Sequence, residues 1–130
     1  MTDFTLVFDG GSRGNPGLGY GSYRVRAGAA PWADAVRLTF GDRVTNNEAE
    51  YRALIAALGA VADLCGDPAS TTLEVLGDSQ LVLNHVTGSW KVRSPNLVPL
   101  HRAARAAASR FKSVRFTWHP RARSVRLLGH

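Results

Sequence analysis

The sequence contains a single cysteine, Cys65, so it cannot form an internal disulfide bond. It also lacks any hydrophobic run of the roughly 18 to 20 residues that a membrane-spanning helix requires. The first residues show no basic segment followed by an apolar one, so we expect no signal peptide and no membrane partner. Together these absences predict a protein of a reducing, aqueous compartment, with the cytoplasm as the default location.

Acidic residues are scarce compared with basic ones. The chain has 10 Asp and Glu against 16 Lys and Arg, which gives a formal net charge of +6. An excess of positive charge favours a polyanionic partner such as nucleic acid, although basic surface residues also serve solubility. With 130 residues, of which 45% are hydrophobic, we expect a monomer with one domain, 1–130, around one core.

The spacing of hydrophobic residues changes along the chain. Three short segments with β-strand composition come first, and then Ala and Leu recur at spacings of three and four, which is typical of a helix. The predicted strands are 4–9, 18–27, 30–40, 71–78 and 114–119, and the predicted helices are 46–64, 79–88 and 95–111. This order predicts an α/β fold with an antiparallel meander and a fourth strand parallel to the first.

Three acidic side chains fall where the predicted fold can bring them together. Asp9 ends the first predicted strand, Asp78 ends the fourth, and Glu50 lies in the first turn of the long helix. Ligands of open α/β sheets bind at the carboxyl ends of strands. Three close carboxylates need a compensating cation, and hard oxygen ligands suit Mg²⁺ or Mn²⁺. Taken alone, each of these acids is explained equally well as a turn former or a helix cap.

Three segments, FDGGSRGNPG, TNNEAEYRAL and GDSQLVLN, occur in the order and at the intervals of type 1 ribonuclease H, and the sequence from Phe4 to about Trp118 resembles that family. The resemblance implies a ribonuclease H-like α/β fold: a five-stranded mixed sheet, three strands antiparallel and two parallel, flanked by helices. It also implies cleavage of the RNA strand of RNA/DNA hybrids with two Mg²⁺ or Mn²⁺ ions. The segment GSWKVRSPNL is short, as in members without the long basic handle.

The resemblance assigns residues to the site. The catalytic, metal-binding acids fall on Asp9, Glu50 and Asp78. Helix geometry alone does not separate Glu50 from Glu48, but the family pattern, an Asn pair and two variable residues before the acid, selects Glu50. The implied substrate contacts are Asn15, Asn46, Asn47 and Gln80 in the minor groove, and Arg43 and Thr45 in a pocket for a DNA phosphate. Asn15 also suits a turn, and Thr45 or Asn46 also suits a helix N-cap.

The last segment, WHPRARSVRLLGH, departs from the family pattern Pro-Arg-x-x-Asn-x-x-Ala-Asp. Pro120 and Arg121 match it, but Ser124 stands at the Asn position and Leu128 at the position of the fourth Asp. We therefore expect a final helix that is missing or reduced to a stub, a weakly held second metal ion and weakened cleavage. The candidate auxiliary residues, for product release or as a substitute metal ligand, are His119, Arg121 and His130. His119 suits an ordinary core position equally well.

Two other classes of function remain open at this point. A module that binds hybrids or duplexes with little cleavage would explain Leu128, but not three retained acids. A DNA-acting relative, such as the catalytic core of an integrase, would not need side chains that contact a ribose 2′-hydroxyl. A further short segment predicts either a basic, aromatic edge that contacts a nucleic-acid duplex or an ordinary solvated surface; its residues are Trp90, Lys91 and Arg93.

Overall fold

The structure is a computed structural model, and it describes residues 2–129. Its strands are β1 (Phe4–Arg13), β2 (Gly17–Ala27), β3 (Val36–Val44), β4 (Thr72–Gly77) and β5 (Ser113–Trp118). Its α-helices are α1 (Asn46–Cys65), α2 (Gln80–Val86), α3 (Val98–Ser109) and α4 (Arg121–Leu128), and a short 3₁₀ turn covers Pro68–Ser70. None of the helices in this range is long and apolar enough to span a membrane.

The five strands form one mixed sheet in the order β3-β2-β1-β4-β5. The pairs β1–β2 and β2–β3 are antiparallel, whereas β1–β4 and β4–β5 are parallel. The predicted five-stranded mixed sheet is therefore confirmed. The parallel pairs follow from the helical crossovers between their strands, because a tight turn can join only antiparallel neighbours.

Three predicted strand boundaries are wrong by four residues or more. The first strand does not end at Asp9 but continues to Arg13, because its pairing with β2 extends beyond its pairing with β4. The third strand begins at Val36 rather than at residue 30, and it ends at Val44 rather than at residue 40. The residues before it form a turn instead, in which the Ala30 and Ala33 amides donate to the carbonyls of β2.

Helix α1 packs across the sheet against β1 and β2 and also contacts α3. Its N-terminus is a capping box: the Thr45 hydroxyl accepts from the Glu48 amide, and the Glu48 carboxylate accepts from the Thr45 amide. Its apolar stripe joins the inward-facing side chains of the strands in one core. The fully buried members of that stripe include Tyr51, Leu54, Leu58 and Val61.

The prediction of a missing or stub-like final helix is wrong, because α4 is an eight-residue helix that contacts β1 and β2. Its last carbonyls are bound by strand arginines: Arg24 Nη1 donates to Leu127 O at 2.9 Å, and Arg37 Nη2 donates to Leu128 O at 3.0 Å. Leu128 itself is only 1% exposed. Cationic donors at a helix C-terminus satisfy its free carbonyls and complement its dipole, so these contacts stabilise α4.

Candidate active site

The two aspartates occupy equivalent places on neighbouring parallel strands. The parallel ladder between β1 and β4 ends at the pair Val7 and Leu76, and each aspartate lies two residues further on. Asp9 is only 2% exposed, and Asp78 directly follows β4. Both carboxylates therefore lie at the same edge of the sheet, although Asp9 is inside its strand rather than at the end of it.

A close approach of α1 to β1 brings Glu50 to this edge. A Cβ atom added at Gly10 would lie 2.5 Å from Ala49 O and 2.7 Å from Glu50 N, so only glycine allows this backbone contact. Gly10 directly follows Asp9 in the chain. The contact therefore holds the first turn of α1 beside the first acid, and the glycine that follows Asp9 within β1 has a structural reason.

Glu50 has a strongly perturbed carboxyl group. Burial raises its pKa to about 7, and the negative charges of Asp78 and Asp9 act in the same direction. A hydrogen bond with the Ser79 side chain and the positive charge of Arg121 oppose this shift. The three predicted acids are thus close enough to affect one another electrostatically, and Glu50 is poised to exchange a proton near neutral pH.

Arg121 also belongs to this cluster. The side chain extends from the first residue of α4, and its Nη1 lies 2.5 Å from Asp9 Oδ2 and 3.4 Å from Asp78 Oδ2. Although burial disfavours the charged guanidinium, Asp9 and Asp78 hold the pKa of Arg121 above its ordinary value. One cationic side chain therefore bridges the two aspartates that we predicted as metal ligands.

The acidic cluster fits a divalent cation in its donor chemistry. It offers only hard carboxylate oxygens. Burial is the main cause of the raised pKa of Glu50, and the repulsion that Asp78 and Asp9 add is the kind that a cation relieves. Within residues 2–129, however, the His, Cys, Asp and Glu side chains form no group of three already arranged to hold a metal ion. Arg121 contacts both aspartates at this place.

Two predicted substrate contacts, Asn15 and Asn46, join the β1–β2 turn to the start of α1. Asn15 Oδ1 accepts from the Asn46 amide at 3.0 Å, and Asn46 Oδ1 accepts from the Ser12 amide at 2.8 Å. Both residues are exposed. Each carbonyl oxygen thus has a structural role, and the two side chains join the turn after β1 to the N-terminus of α1.

The other predicted substrate contacts lie at the N-termini of α1 and α2 or in β3. Gln80 is exposed at the first residue of α2, Arg43 is exposed in β3, and Asn47 is half-buried in the first turn of α1. Thr45 is the N-cap of α1, so the structure selects it over Asn46 as the capping residue. Its hydroxyl oxygen therefore already binds the helix, and its predicted phosphate contact would have to share that oxygen.

The three predicted auxiliary residues have different surroundings. Arg121 contacts the acids, whereas His119 is 2% exposed and its Nε2 lies 2.7 Å from Ser124 Oγ in α4. Burial lowers the pKa of His119, which favours the neutral ring. His119 therefore holds α4 in the way expected of a core histidine. His130 lies outside the described residues.

Sequence reasoning missed two neighbours of the acids. Ser79 is the N-cap of α2, where its hydroxyl accepts from the Val82 amide at 3.2 Å besides bonding Glu50. Trp118 is half exposed, and its Nε1 donates to Asp78 O at 3.1 Å. A serine before an apolar helical run is a common N-cap signal, so Ser79 was accessible from the sequence, whereas the partner of Trp118 was not.

The predicted basic, aromatic edge borders a groove of about 680 Å³ between α2, the 88–92 segment and α3. Trp90 is 48% exposed there, and Lys91 lies beside it. Arg102 and Arg105 of α3 line the opposite wall, and Arg93 is exposed nearby. The groove therefore combines an exposed indole with several cations, which suits a nucleic-acid strand.

Comparison with known proteins gives a family match over most of the chain. The model of the "Reverse transcriptase-like" family matches residues 8–125. The "Bifunctional protein Rv2228c" of Mycobacterium tuberculosis is 44% identical over 118 residues, which are 90% of this chain and 31% of that protein. The "Ribonuclease HI" of Halobacterium salinarum is 41% identical over 92% of this chain and 57% of that protein. The chain thus spans about a third of the mycobacterial relative.

Solved structures show the same architecture. The crystal structure of RNase H1 from Halobacterium salinarum matches with a TM-score of 0.86 at 40% identity, covering 95% of this chain and 89% of that one. LC11-RNase H1, solved in complex with an RNA/DNA hybrid, matches with a TM-score of 0.85 at 28% identity, with the same two coverages. The mixed sheet and its helices are therefore the ribonuclease H fold.

Proposed function

Because the chain belongs to the reverse transcriptase-like family, we propose that it is a ribonuclease H, which hydrolyses the RNA strand of RNA/DNA hybrids. The observation that carries the proposal is the electrostatic cluster of Asp9, Glu50 and Asp78 at one sheet edge, in a fold shared with RNase H1 structures. The net charge of +6 supports a polyanionic substrate. The proposal treats 1–130 as one domain that acts as a monomer in the cytoplasm.

In the proposed mechanism, Asp9, Glu50 and Asp78 would hold Mg²⁺ or Mn²⁺. Such ions supply an activated water and stabilise the leaving oxygen of the phosphodiester. Because the pKa of Glu50 is raised to about 7 without metal, this carboxyl group would have to release its proton before it could serve as a ligand at neutral pH. Ser79 orients the Glu50 carboxylate through its hydrogen bond, while the N-cap contact with Val82 fixes the serine.

Recognition of the hybrid is assigned to the exposed polar groups around the acids. We propose that Asn15, Asn46, Asn47 and Gln80 contact the minor groove, where a ribose 2′-hydroxyl distinguishes RNA from DNA. We further propose that Arg43 and Thr45 bind a phosphate of the DNA strand. This assignment is supported by the exposure of Arg43 and by the N-terminal position of Thr45 on α1, where amides and the helix dipole favour an anion.

The proposed enzyme is weakened at its second metal ion. The family's fourth acid is replaced by Leu128, whose side chain is buried and cannot ligate a metal. An ion that loses one ligand binds less tightly, and Mn²⁺ tolerates incomplete coordination spheres better than Mg²⁺. We therefore expect slower cleavage and a higher metal requirement than in a protein with four acids, with a preference for Mn²⁺.

The test is cleavage of a labelled RNA/DNA hybrid with Mg²⁺ and Mn²⁺ titrated separately. We expect metal-dependent cleavage of the hybrid but not of double-stranded DNA, and a loss of about a hundredfold or more in Asp78→Asn. Asp63→Asn is the matched control, because Asp63 is an exposed acid on α1 and should change little. Cleavage that survives unchanged in Asp78→Asn would contradict the proposal.

A second candidate function is a hybrid-binding module with little cleavage. Two observations favour it: Leu128 stands in place of an acid, and Arg121 already forms ion pairs with Asp9 and Asp78. It predicts no cleavage with either ion, together with tight hybrid binding that weakens steeply as salt is raised. A DNA-acting nuclease, the third class, would instead cut double-stranded DNA in the same assay.

A further inference from the structure

The acidic cluster contains its own cation. Arg121 Nη1 approaches one carboxylate oxygen of Asp9 and one of Asp78, at 2.5 Å and 3.4 Å. Asp9 is almost completely buried, whereas the Arg121 side chain is 56% exposed. The guanidinium thus extends from the solvent-exposed side and lies between the carboxylates of Asp9 and Asp78.

This position does not depend on the ion pair alone. Helix α4 is held at its far end by Arg24 and Arg37, which bind its last carbonyls, and in its middle by the hydrogen bond between Ser124 and His119. These contacts direct the first residue of α4 towards the acids. Removing the Arg121 guanidinium should therefore leave the helix in place and change the charge of the cluster.

A guanidinium and a metal ion make incompatible demands on the same oxygens. A carboxylate oxygen that accepts a charge-assisted hydrogen bond has less electron density for a metal, and two neighbouring cations repel each other. Arginine cannot escape this competition by losing its proton, because it remains charged at any ordinary pH. Its long, largely exposed side chain can instead swing towards solvent.

We infer that Arg121 competes with divalent metal ions for Asp9 and Asp78, so that metal binds as the guanidinium leaves the carboxylates. The inference rests on the proposed function, which supplies the metal site. It adds a competitor for that site, the Arg121 guanidinium, which the three acids alone do not imply. In the resting protein the arginine stabilises the acidic edge without metal. The cost is a weaker affinity for the ion.

The test measures metal affinity without nucleic acid, by isothermal titration calorimetry and by the electron paramagnetic resonance of free Mn²⁺. Arg121→Ala should bind Mn²⁺ about tenfold more tightly than wild type. This factor corresponds to the lower end of the free energies typical of a hydrogen bond to a charged group, because the Arg121 side chain is partly exposed. Arg121→Lys keeps a cation and should stay close to wild type. Arg123→Ala removes an exposed arginine from the same helix, away from the acids, and should change nothing.

Thermal unfolding gives a second readout. Without metal and in EDTA, Arg121→Ala should unfold at a lower temperature than wild type, because the acids then repel one another; excess Mn²⁺ should stabilise this variant more than wild type. Equal or weaker Mn²⁺ affinity in a folded Arg121→Ala would overturn the inference while leaving the ribonuclease proposal intact. Failure of every variant to bind Mn²⁺ would overturn both.

Discussion

The start of α1 presents two carboxylates in opposite electrostatic environments. Glu48, in the capping box, accepts a hydrogen bond from the Thr45 backbone amide, which lowers its pKa. Glu50, two residues further on, is buried beside Asp78 and Asp9, and its pKa rises to about 7. The difference shows that the position on the helix, rather than the residue type, decides whether a glutamate stabilises a helix end or serves a reactive site.

The geometry of the helix explains the contrast. Two residues correspond to a rotation of about 200°, so Glu48 and Glu50 point to different sides of α1. Glu48 turns back to the free amides of its own first turn, whereas Glu50 faces acids that come from β1 and β4. Glu48 is therefore satisfied by local contacts, but Glu50 depends on charges supplied by distant parts of the chain.

The largest effect is expected from neutralising each glutamate in turn. Glu50→Gln should reduce hybrid cleavage by about a hundredfold or more, because it removes a carboxylate from the proposed metal site. Glu48→Gln should stay within a few fold of wild type, because glutamine can still accept the hydrogen bond of the capping box. The measurement is the initial cleavage rate at saturating metal.

The two variants differ only in position, so each is the control for the other. An equal loss of cleavage in both would mean that helix stability, rather than the acid at position 50, limits the activity. A loss confined to Glu48→Gln would show that the family pattern selects the wrong glutamate. Circular dichroism of both proteins establishes that α1 is intact before rates are compared.

The sequence predicts the parts of this site that depend on local pattern and strand order. The period of two in the strands and the helical spacing after Asn46 predict that the first and fourth strands are parallel neighbours, and this pairing brings Asp9 and Asp78 to one edge. The choice of Glu50 required the family pattern. The direction of its pKa shift also depends on burial and on remote charges, which no spacing in the sequence reveals.

Helix α4 was missed for a physical reason. Its contacts come from Arg24 and Arg37, which precede it by 103 and 91 residues in the hydrogen-bonded pairs. The departure from the family pattern at Leu128 predicted the loss of the element, but burial of Leu128 and the arginine contacts hold the helix without the acid. The role of Arg121 likewise depends on where that helix begins.

A smaller effect is expected on the pH dependence of the free energy of unfolding, to which Glu50 and Glu48 contribute with opposite signs. The folded-state pKa of Glu50, about 7, is above its value of 4.5 in an unfolded chain, so the folded protein holds this proton more tightly. Its contribution to stability is complete below about pH 4.5 and is lost as pH rises through 7. In EDTA, the free energy of unfolding of Glu50→Gln should therefore increase relative to wild type from pH 5 to pH 8, by on the order of 2 kcal/mol.

Urea unfolding of both proteins at several pH values measures this difference. Burial lowers the pKa values of His85 and His119, but both proteins contain these histidines, so their contributions to the pH dependence cancel. A constant difference between the two proteins from pH 5 to pH 8 would show that Glu50 ionises normally in the fold. The folded-state pKa of about 7 would then be wrong.

The smallest effect is expected for Glu48, whose contribution to stability comes from the capping box of α1. Glu48→Ala should lower the free energy of unfolding by about 1 kcal/mol, because the Thr45 amide loses its acceptor at the start of α1. The lowered pKa of Glu48 means that wild type gains this stability above the ordinary glutamate pKa and loses it as pH falls through the lower, folded-state value. The difference in free energy of unfolding between wild type and Glu48→Ala should therefore become smaller in acid, opposite to the trend for Glu50. Urea titrations of both proteins at pH 3 and pH 7 measure this difference, and a difference that becomes larger in acid would contradict the assignment of Glu48 to the cap.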